Sequence, residues 1–365
     1  MEKRIQLLDY VRFAAALSVV AYHYLFNGIT NGKISSLHEY SDFAPIAKYG
    51  YLGVELFFLI SGYVIYASAA GKAPDRFAVG RLVRLYPAFW FAVCFTSIIA
   101  IFWGGERMSV SLPQFIANLT MVAPLFGQPV VDGVYWTLMF EIRFYLLVFV
   151  FLYFGLSHKL DKIFSYWAIL LLAVWLISPS LSTIPFLGTY YAFFVGGAVL
   201  ATIRDKGFSP LNTVALLSAF VVSLSFTLSS VASIEARKGT EYSEVAIGVA
   251  ILGFYLLFLA LNHRSVSRLK LPFSLVLGGL AYPIYLLHAH FGYMTMSRFG
   301  NESNKWIIYG AALLIVIAIS RLMNVVIETR LKNYWYGFFD RSVGAMVRKS
   351  LLWKDAAITA VFKRA

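Results

Sequence analysis

Several long apolar segments of this chain are interrupted by side chains that can exchange protons. The five of interest are His23, Glu55, Glu141, His288 and His290. Imidazoles and carboxylates act as general bases and acids near neutral pH. An ionisable group inside an apolar segment is costly to bury, so it usually has a function. This set is therefore typical of acid–base catalysis.

A second set of ionisable residues is dominated by arginine. It consists of Asp9, Arg12, Arg81, Arg84, Arg321 and Glu328. The planar guanidinium offers paired donors that match a phosphate or a carboxylate. The second set therefore indicates recognition of an anionic group.

The composition indicates which elements position these residues. Of the 365 residues, 60% are hydrophobic and 13% are charged, whereas a soluble domain has about 25% charged residues. The mean hydropathy is +0.72. A single cysteine, Cys94, excludes a disulfide scaffold. The apolar stretches have helix length rather than the roughly ten-residue alternation of an outer-membrane barrel. A polytopic helical membrane protein is the class that remains.

We therefore expect an all-α bundle of about ten transmembrane helices. They are predicted near residues 7–27, 50–70, 86–104, 137–155, 164–180, 186–203, 211–230, 244–262, 273–296 and 306–329. The shorter, proline-bounded segment 113–126 is interpreted as re-entrant or interfacial. Asp9 and Arg12 interrupt the first apolar run, which favours an uncleaved span over a signal peptide. Residues 1–335 would form the membrane domain and 336–365 a short basic cytoplasmic tail.

The distribution of basic residues predicts the orientation of the bundle. The formal net charge is +13, and 21 of the 31 Lys and Arg residues lie in the termini and in alternate loops on one side. Seven lie on the other side, and Arg12, Arg143 and Arg321 lie within spans. The positive-inside rule then predicts that both termini are cytoplasmic. It places the acid–base set in an outer layer and the arginine-rich set in an inner layer. Such a division suits a substrate with an anionic head inside and a reactive end outside.

Structural alternatives stay open for several of these residues. Asp9 and Arg12, three residues apart, can simply neutralise each other. Arg81 and Arg84 can be cytoplasmic anchors. A lone histidine near a span end is often interfacial, and Glu328 near the inner interface can be structural. The outer-layer carboxylates are harder to explain in these ways, because an intramembrane carboxylate is costly.

Six segments resemble, in order, the motifs of the acyltransferase-3 family of integral membrane acyltransferases, which includes O-antigen and exopolysaccharide O-acetylases. The segments are LDYVRFAAALSVVAYHY (8–24), GYLGVELFFLISGYVI (50–65), RFAVGRLVRLYPAFW (76–90), YWTLMFEIRFYLL (135–147), LAYPIYLLHAH (280–290) and VIETRLK (326–332). The resemblance covers essentially the whole chain. It departs from the family pattern in lacking the proline that usually follows the glutamate of the last motif.

The resemblance implies transfer of an acyl group, commonly acetyl, from cytoplasmic acyl-CoA to a hydroxyl of an extracytoplasmic glycan. O-antigen lipopolysaccharide, exopolysaccharide and lipid-linked saccharides are such acceptors, and a bacterial inner membrane is the implied location. Some relatives carry a C-terminal esterase-like domain. The tail after Arg330 is too short for one, so we expect a partner protein to perform any second transfer.

The resemblance also assigns functional residues. The Arg and His of the first motif are Arg12 and His23, the basic pair is Arg81 and Arg84, and the fourth motif supplies Glu141. Three further residues match motif positions with less defined roles: Glu55, His288 and Glu328.

A mechanism consistent with both arguments begins with the CoA phosphates pairing with Arg81, Arg84 and Arg12. The pantetheine arm would extend outward over the roughly 16 Å that separate Arg12 from His23 on an ideal helix. His23 would remove the proton of the acceptor hydroxyl. Glu141 or Glu55 would orient its imidazole, by the logic of a triad without a serine. A covalent acyl-histidine intermediate is an alternative.

Other classes of function are also open. A transporter or flippase could use the same buried residues as a relay, although no repeated halves are visible. A non-enzymatic membrane scaffold would leave the outer carboxylates unexplained. No metal-ligand spacing and no glycine-rich phosphate loop is recognised, and we expect no metal and no nucleic-acid partner.

Overall fold

The computed structural model describes residues 4–188 and 190–362. Over these ranges the chain is helical and contains no β-strand. Lys3, Lys363 and Arg364, which contribute to the charge asymmetry, lie outside the described residues.

The main helices are α1 (Gln6–Tyr22), α2 (Gly53–Ala69), α3 (Pro74–Trp103), α4 (Leu112–Asn118), α5 (Trp136–Tyr153), α6 (Leu160–Ile177), α7 (Tyr191–Lys206), α8 (Pro210–Ser229), α9 (Val231–Lys238), α10 (Glu244–Asn262), α11 (Ser274–Phe299), α12 (Lys305–Met323), α13 (Lys332–Phe339) and α14 (Ala345–Phe362). Short helices occur at Gly28–Thr30, Ala44–Ala47 and Arg264–Ser267. Three segments are π-helical: His23–Asn27, Asn324–Arg330 and Asp340–Gly344.

Nine helical segments of the described chain are long and apolar enough to cross a membrane. They include α1, α2, α3, α5, α6, α8, α10, α11 and α12 together with the turns that continue them. The prediction of an all-α polytopic bundle is confirmed. The remaining expected span, near 186–203, corresponds to α7, which has 16 residues. It starts at Tyr191, later than expected, because Pro185 and the turns around it precede it.

Local sequence signals mark where several helices begin and end. Pro74 and Pro210 begin α3 and α8, at a position where the absent N–H is not needed. Ser209 caps α8 by accepting from the Asn212 amide. Gly239 ends α9 with a positive φ of 63°, which a glycine adopts without strain.

Helix α7 is the most deeply buried element of the bundle, and every residue from Tyr191 to Ile203 is buried. It packs along α2, where two glycines allow the backbones to meet. A Cβ at Gly62 would overlap the Phe194 carbonyl, and a Cβ at Gly197 would overlap the Leu59 carbonyl. Small residues are common where helices meet in membranes, because no hydrophobic force drives the helices together and close van der Waals packing must hold them instead.

The segment between α3 and α5 folds back into the bundle. The Trp90 indole donates to the Leu119 carbonyl over 2.9 Å, and the Tyr86 hydroxyl donates to the Thr120 carbonyl over 3.0 Å. Trp90 lies thirteen residues before the end of α3 at Trp103, or roughly 20 Å along an ideal helix. Buried Asn118 joins the two arms of the segment by bonding the Pro129 carbonyl and the Val131 amide. The contacts are those of a re-entrant segment.

The C-terminal residues are helical and pack against the bundle. Arg348 pairs with Asp75, in the first turn of α3, at 3.0 Å. Lys354 donates to the Tyr153 carbonyl, at the end of α5, over 2.7 Å. The expected domain boundary after residue 335 falls inside α13 (Lys332–Phe339). The division into a membrane domain and a basic tail stays a prediction, and these two contacts connect the segment to α3 and α5.

Candidate active site

Two cavities lie between α1, α2, α5 and α11. The inner cavity, of about 870 Å³, is nearer the N-termini of α1 and α3. The outer cavity, of about 500 Å³, lies near the end of α1 and includes His23. Val54 and Tyr285 line both cavities. The two cavities therefore adjoin each other.

Residue His23 lies where α1 changes from α- to π-helical winding, a feature that is frequent at functional sites. Its Nδ1 lies 2.9 Å from the Val19 carbonyl and 3.0 Å from Nε2 of His288. Nδ1 of His288, in turn, lies 3.0 and 2.9 Å from the carbonyls of Ile284 and Tyr285. The two imidazoles thus form one chain of hydrogen bonds that ends on helix backbone.

These hydrogen bonds determine which ring nitrogen of each histidine carries the proton. A carbonyl only accepts, so His288 carries its proton on Nδ1 and presents an unprotonated Nε2. Nδ1 of His23 then donates to both Val19 and His288. The proton of neutral His23 is thereby held on Nδ1, which leaves Nε2 as its basic nitrogen. His23 is also one of the residues that line the outer cavity.

The second histidine of the motif, His290, belongs to a separate network. Its Nε2 lies 2.6 Å from the Lys33 ammonium and 3.3 Å from the Gly133 amide. Its own backbone amide donates to the fully buried carboxylate of Asp132 over 2.8 Å. Burial lowers the pKa of Lys33, and the charge of Asp132 opposes that effect. This network fastens the loop before α5 to α11.

Glu55 lines the outer cavity as expected, but it does not orient His23. The carboxylate is buried, and its Oε2 has no hydrogen-bond partner. Nδ1 of His23 is bonded to the Val19 carbonyl and to His288, and not to the carboxylate that was expected to orient the ring.

The inner cavity gathers the whole arginine-rich set. Seven cationic side chains and three carboxylates line it. They are Arg4, Arg12, Arg81, Arg84, Arg321, Arg330 and Lys332, with Asp9, Glu141 and Glu328. The excess of cations suits an anionic ligand of several charges, such as a group of phosphates.

Hydrogen bonds connect part of this set in a chain across the cavity. Arg321 donates to Asn324 over 3.2 Å, Asn324 donates to Glu328 over 2.9 Å, and Arg84 pairs with Glu328 at 2.6 Å. Glu328 is thus the charge partner of Arg84, a residue that was expected to pair with the phosphates of the donor.

Two other arginines, Arg12 and Arg81, have no close ion-pair or hydrogen-bond partner among the described residues. Asp9 lies 2.9 Å from Arg4 but 3.8 Å from Arg12, so its closer partner is Arg4. The guanidinium of Arg81 lies 5.8 Å from the centre of the Tyr145 ring, and its buried Nε has no hydrogen-bond partner. Arg12 and Arg81 are therefore the more available cations of the expected ligand set.

The expected position of Glu141 in the outer layer is wrong. It lines the inner cavity, where Ser61 donates to Oε1 over 3.2 Å and Tyr145 also donates to it. The reason lies in the segment before α5. Because the segment before α5 is re-entrant, α5 begins inside the bundle, beside Tyr285 of α11, and the hydroxyls of Thr137 and Tyr285 are 2.8 Å apart. Glu141 lies one helical turn after Thr137, on the inner-cavity side of this contact.

The partition between the two cavities is narrow and built from few side chains. The Tyr285 hydroxyl bonds Thr137 at 2.8 Å and the Val134 carbonyl at 3.3 Å, while its ring meets Phe57 edge-on at 5.4 Å. Val54 completes the set that faces both cavities. A flexible chain would have to pass these groups to connect the arginines with His23.

Four residues that line these cavities were not identified from the sequence, namely Tyr285, Lys33, Arg237 and Lys238. Asp132, which accepts from the His290 amide beside the outer cavity, was also not identified. Asp132 follows a proline-bounded segment, and its place before a predicted span was the available signal. The three cations are on the side where basic residues are rare, which sets them apart from the rest. Within the described residues, no group of three or more His, Cys, Asp or Glu is placed to hold a metal ion.

Comparisons with known proteins agree with the motifs. The chain is 25% identical to the peptidoglycan O-acetyltransferase OatA of Listeria monocytogenes over an alignment 402 positions long. That alignment covers 98% of this chain, which spans about 60% of the length of OatA. It is 27% identical over 250 residues to the exopolysaccharide production protein ExoZ of Rhizobium meliloti, covering 66% of this chain and 75% of ExoZ.

No solved structure matches the chain significantly. The sequence profile of the family described as an acyltransferase domain matches residues 5–325, which include every residue that lines the outer cavity and most of those that line the inner cavity. The chain is thus a multi-pass membrane protein that belongs to the acyltransferase-3 family.

Proposed function

We propose that this protein is a membrane O-acetyltransferase that moves an acyl group, commonly acetyl, from acyl-CoA to a hydroxyl of a glycan. The donor would enter the inner cavity from the cytoplasm, and the acceptor would enter the outer cavity from the other side of a bacterial inner membrane. The similarity to OatA and ExoZ supports a carbohydrate acceptor. The distribution of basic residues supports cytoplasmic termini.

One observation carries the proposal above the others. A basic nitrogen, His23 Nε2, lies on one side of a thin partition, and a cavity with an excess of arginines lies on the other. Acyl-CoA has a phosphate-bearing head and a long thin arm that ends in the thioester. Arg12 and Arg81 are suited to the phosphates, and the arm would pass Tyr285 to bring the thioester to His23.

The reaction then requires one base and no covalent intermediate. Nε2 of His23 accepts the proton of the acceptor hydroxyl as its oxygen attacks the thioester carbonyl carbon. The carbon–sulfur bond breaks, and the departing thiolate takes the proton from His23. The products are the glycan ester and free CoA. His288 acts as a positioning residue that keeps the proton of neutral His23 on Nδ1.

The test compares His23→Ala with wild type, in purified protein reconstituted in lipid. Radiolabelled acetyl-CoA is added, and thiol release and label on added cell-envelope glycan are measured. General-base catalysis contributes about 10²–10⁴-fold, so we expect transfer by His23→Ala to fall by that factor. His38→Ala is the matched control, because His38 is exposed and lines neither cavity.

Transfer at a wild-type rate by His23→Ala would refute the role of His23. A rapid-quench experiment without acceptor separates the two chemical routes. Label that stays on wild-type protein but not on His23→Ala would replace direct transfer by an acyl-histidine intermediate. Uptake or flipping of a saccharide without acetyl-CoA, and no thiol release, would favour a transporter.

A further inference from the structure

Three cationic side chains line the outer cavity and have no part in the proton transfer described above. They are Lys33, Arg237 and Lys238. Glu55 is the one carboxylate among the described residues that line the same cavity. Even with Glu55 ionised, the cavity that holds His23 has an excess of positive charge.

None of the hydrogen-bond partners of these cations is a carboxylate. Lys33 contacts the neutral imidazole of His290 at 2.6 Å. Lys238 donates to the amide oxygen of Asn27. Arg237 uses only Nε, which donates to the Ser233 carbonyl of its own helix over 3.1 Å. The two terminal nitrogens of Arg237 thus stay available for an anion, which a guanidinium binds with paired donors.

A simpler reason for two of these residues is their position at the C-terminal end of α9, where the helix dipole favours cations. That reason does not extend to Lys33, which lies on the loop after α1. It also does not explain why side chains from two distant segments face one cavity. Burial disfavours the charge of Lys33, as its lowered pKa shows, so an anion in the cavity would relieve an existing cost.

We propose that the acceptor is anionic, and that Arg237 and Lys238, assisted by Lys33, hold a carboxylate or phosphate of the glycan while one of its hydroxyls faces His23. This inference rests on the proposed function, because it names the substrate class of that site. A uronic-acid carboxylate and the phosphate of a phosphorylated or lipid-linked sugar present the same chemistry to a guanidinium.

The experiment uses matched pairs of probes that differ only in the anion. The first pair is hexagalacturonate and its carboxyl-reduced form, and the second is glucose 1-phosphate and methyl glucoside. Binding to the purified full chain is measured by calorimetry, and acetyl transfer to each probe gives kcat/KM. For wild type we expect about tenfold tighter binding and about tenfold higher kcat/KM for at least one anionic probe, the difference that one charge-assisted hydrogen bond makes. The pair that shows the difference identifies the carboxylate or the phosphate as the source.

The variant Arg237→Gln/Lys238→Gln should bring the anionic-to-neutral ratio close to one. Arg298→Gln should keep the wild-type ratio, because it removes an exposed cation beside the outer end of α11 that lines neither cavity. Equal binding of charged and neutral probes by wild type would overturn the proposal, as would a preference that survives in the double variant.

The two readouts separate this proposal from the proposed function. Preferential binding of an anionic probe without any thiol release from acetyl-CoA would mean that the transferase is refuted and the anion site stands. Acetyl transfer with no preference between the members of a pair would mean that the transferase stands and the anion site is refuted.

Discussion

Replacing His288 by leucine tests how the basic nitrogen of His23 is set. The change removes the Nε2 acceptor at 3.0 Å from Nδ1 of His23 and retains a buried apolar side chain of similar size. Nδ1 of His23 keeps its second acceptor, the Val19 carbonyl at 2.9 Å. The substitution therefore removes one acceptor of the Nδ1 proton and leaves the other in place.

The expected loss of kcat follows from the hydrogen bond to Val19 that remains. A neutral hydrogen bond contributes about 0.5–1.5 kcal/mol, which is roughly two- to tenfold in rate. Loss of the only group that sets a tautomer costs on the order of 10⁴-fold in a catalytic triad. Because Val19 remains, we expect His288→Leu to lower kcat of acyl transfer by roughly two- to tenfold, far less than His23→Ala.

The assay is label transfer at saturating donor and acceptor, with thermal unfolding as a check that each variant is folded. His288→Gln should recover most of the rate, because its amide oxygen can accept near the position of Nε2. A loss of more than about 10²-fold by His288→Leu without recovery in His288→Gln would mean that His288 itself exchanges the substrate proton. An unchanged rate in His288→Leu would mean that Val19 alone sets the tautomer.

Two further substitutions test the donor site and the loop before α5. Arg81→Gln removes a guanidinium of the inner cavity whose Nε has no hydrogen-bond partner, so KM for acetyl-CoA should rise roughly tenfold. Arg76→Gln, on the exposed side of α3, is the control and should leave KM unchanged. Equal KM values for the two variants in steady-state kinetics would exclude Arg81 from donor binding. Asp132→Ala leaves the amides of Val134 and His290 without their acceptor, so unfolding should become easier by roughly 3–5 kcal/mol. The exposed Asp42→Ala is its control, and equal thermal transitions of the two variants would contradict the role given to Asp132.

The sequence alone was enough to identify the class of fold and to predict a depth for each ionisable residue. Apolar runs of span length and the alternation of basic loops are local properties, because lipid acts on each segment separately. The same holds for Arg12 and His23, whose depths follow from one helix. The motifs then indicated the family, since they are read in order along the chain.

Partnerships between distant helices were decided by the tertiary structure. His23 and His288 are 265 residues apart, and their contact depends on how α1 and α11 are rotated against each other, which no local pattern records. Likewise, only the packed bundle pairs Arg84 with Glu328 and leaves Arg81 more available.

Glu141 shows the physical reason most clearly. Its depth was estimated from the ends of its own span, on the assumption that α5 begins at the membrane surface. The re-entrant segment instead starts α5 inside the bundle, held by the bonds of Asn118 and Asp132. The Asp132 bond forms only when α11 and the folded-back segment are present together, so the position of Glu141 is a property of the assembled helices and not of its own stretch of sequence.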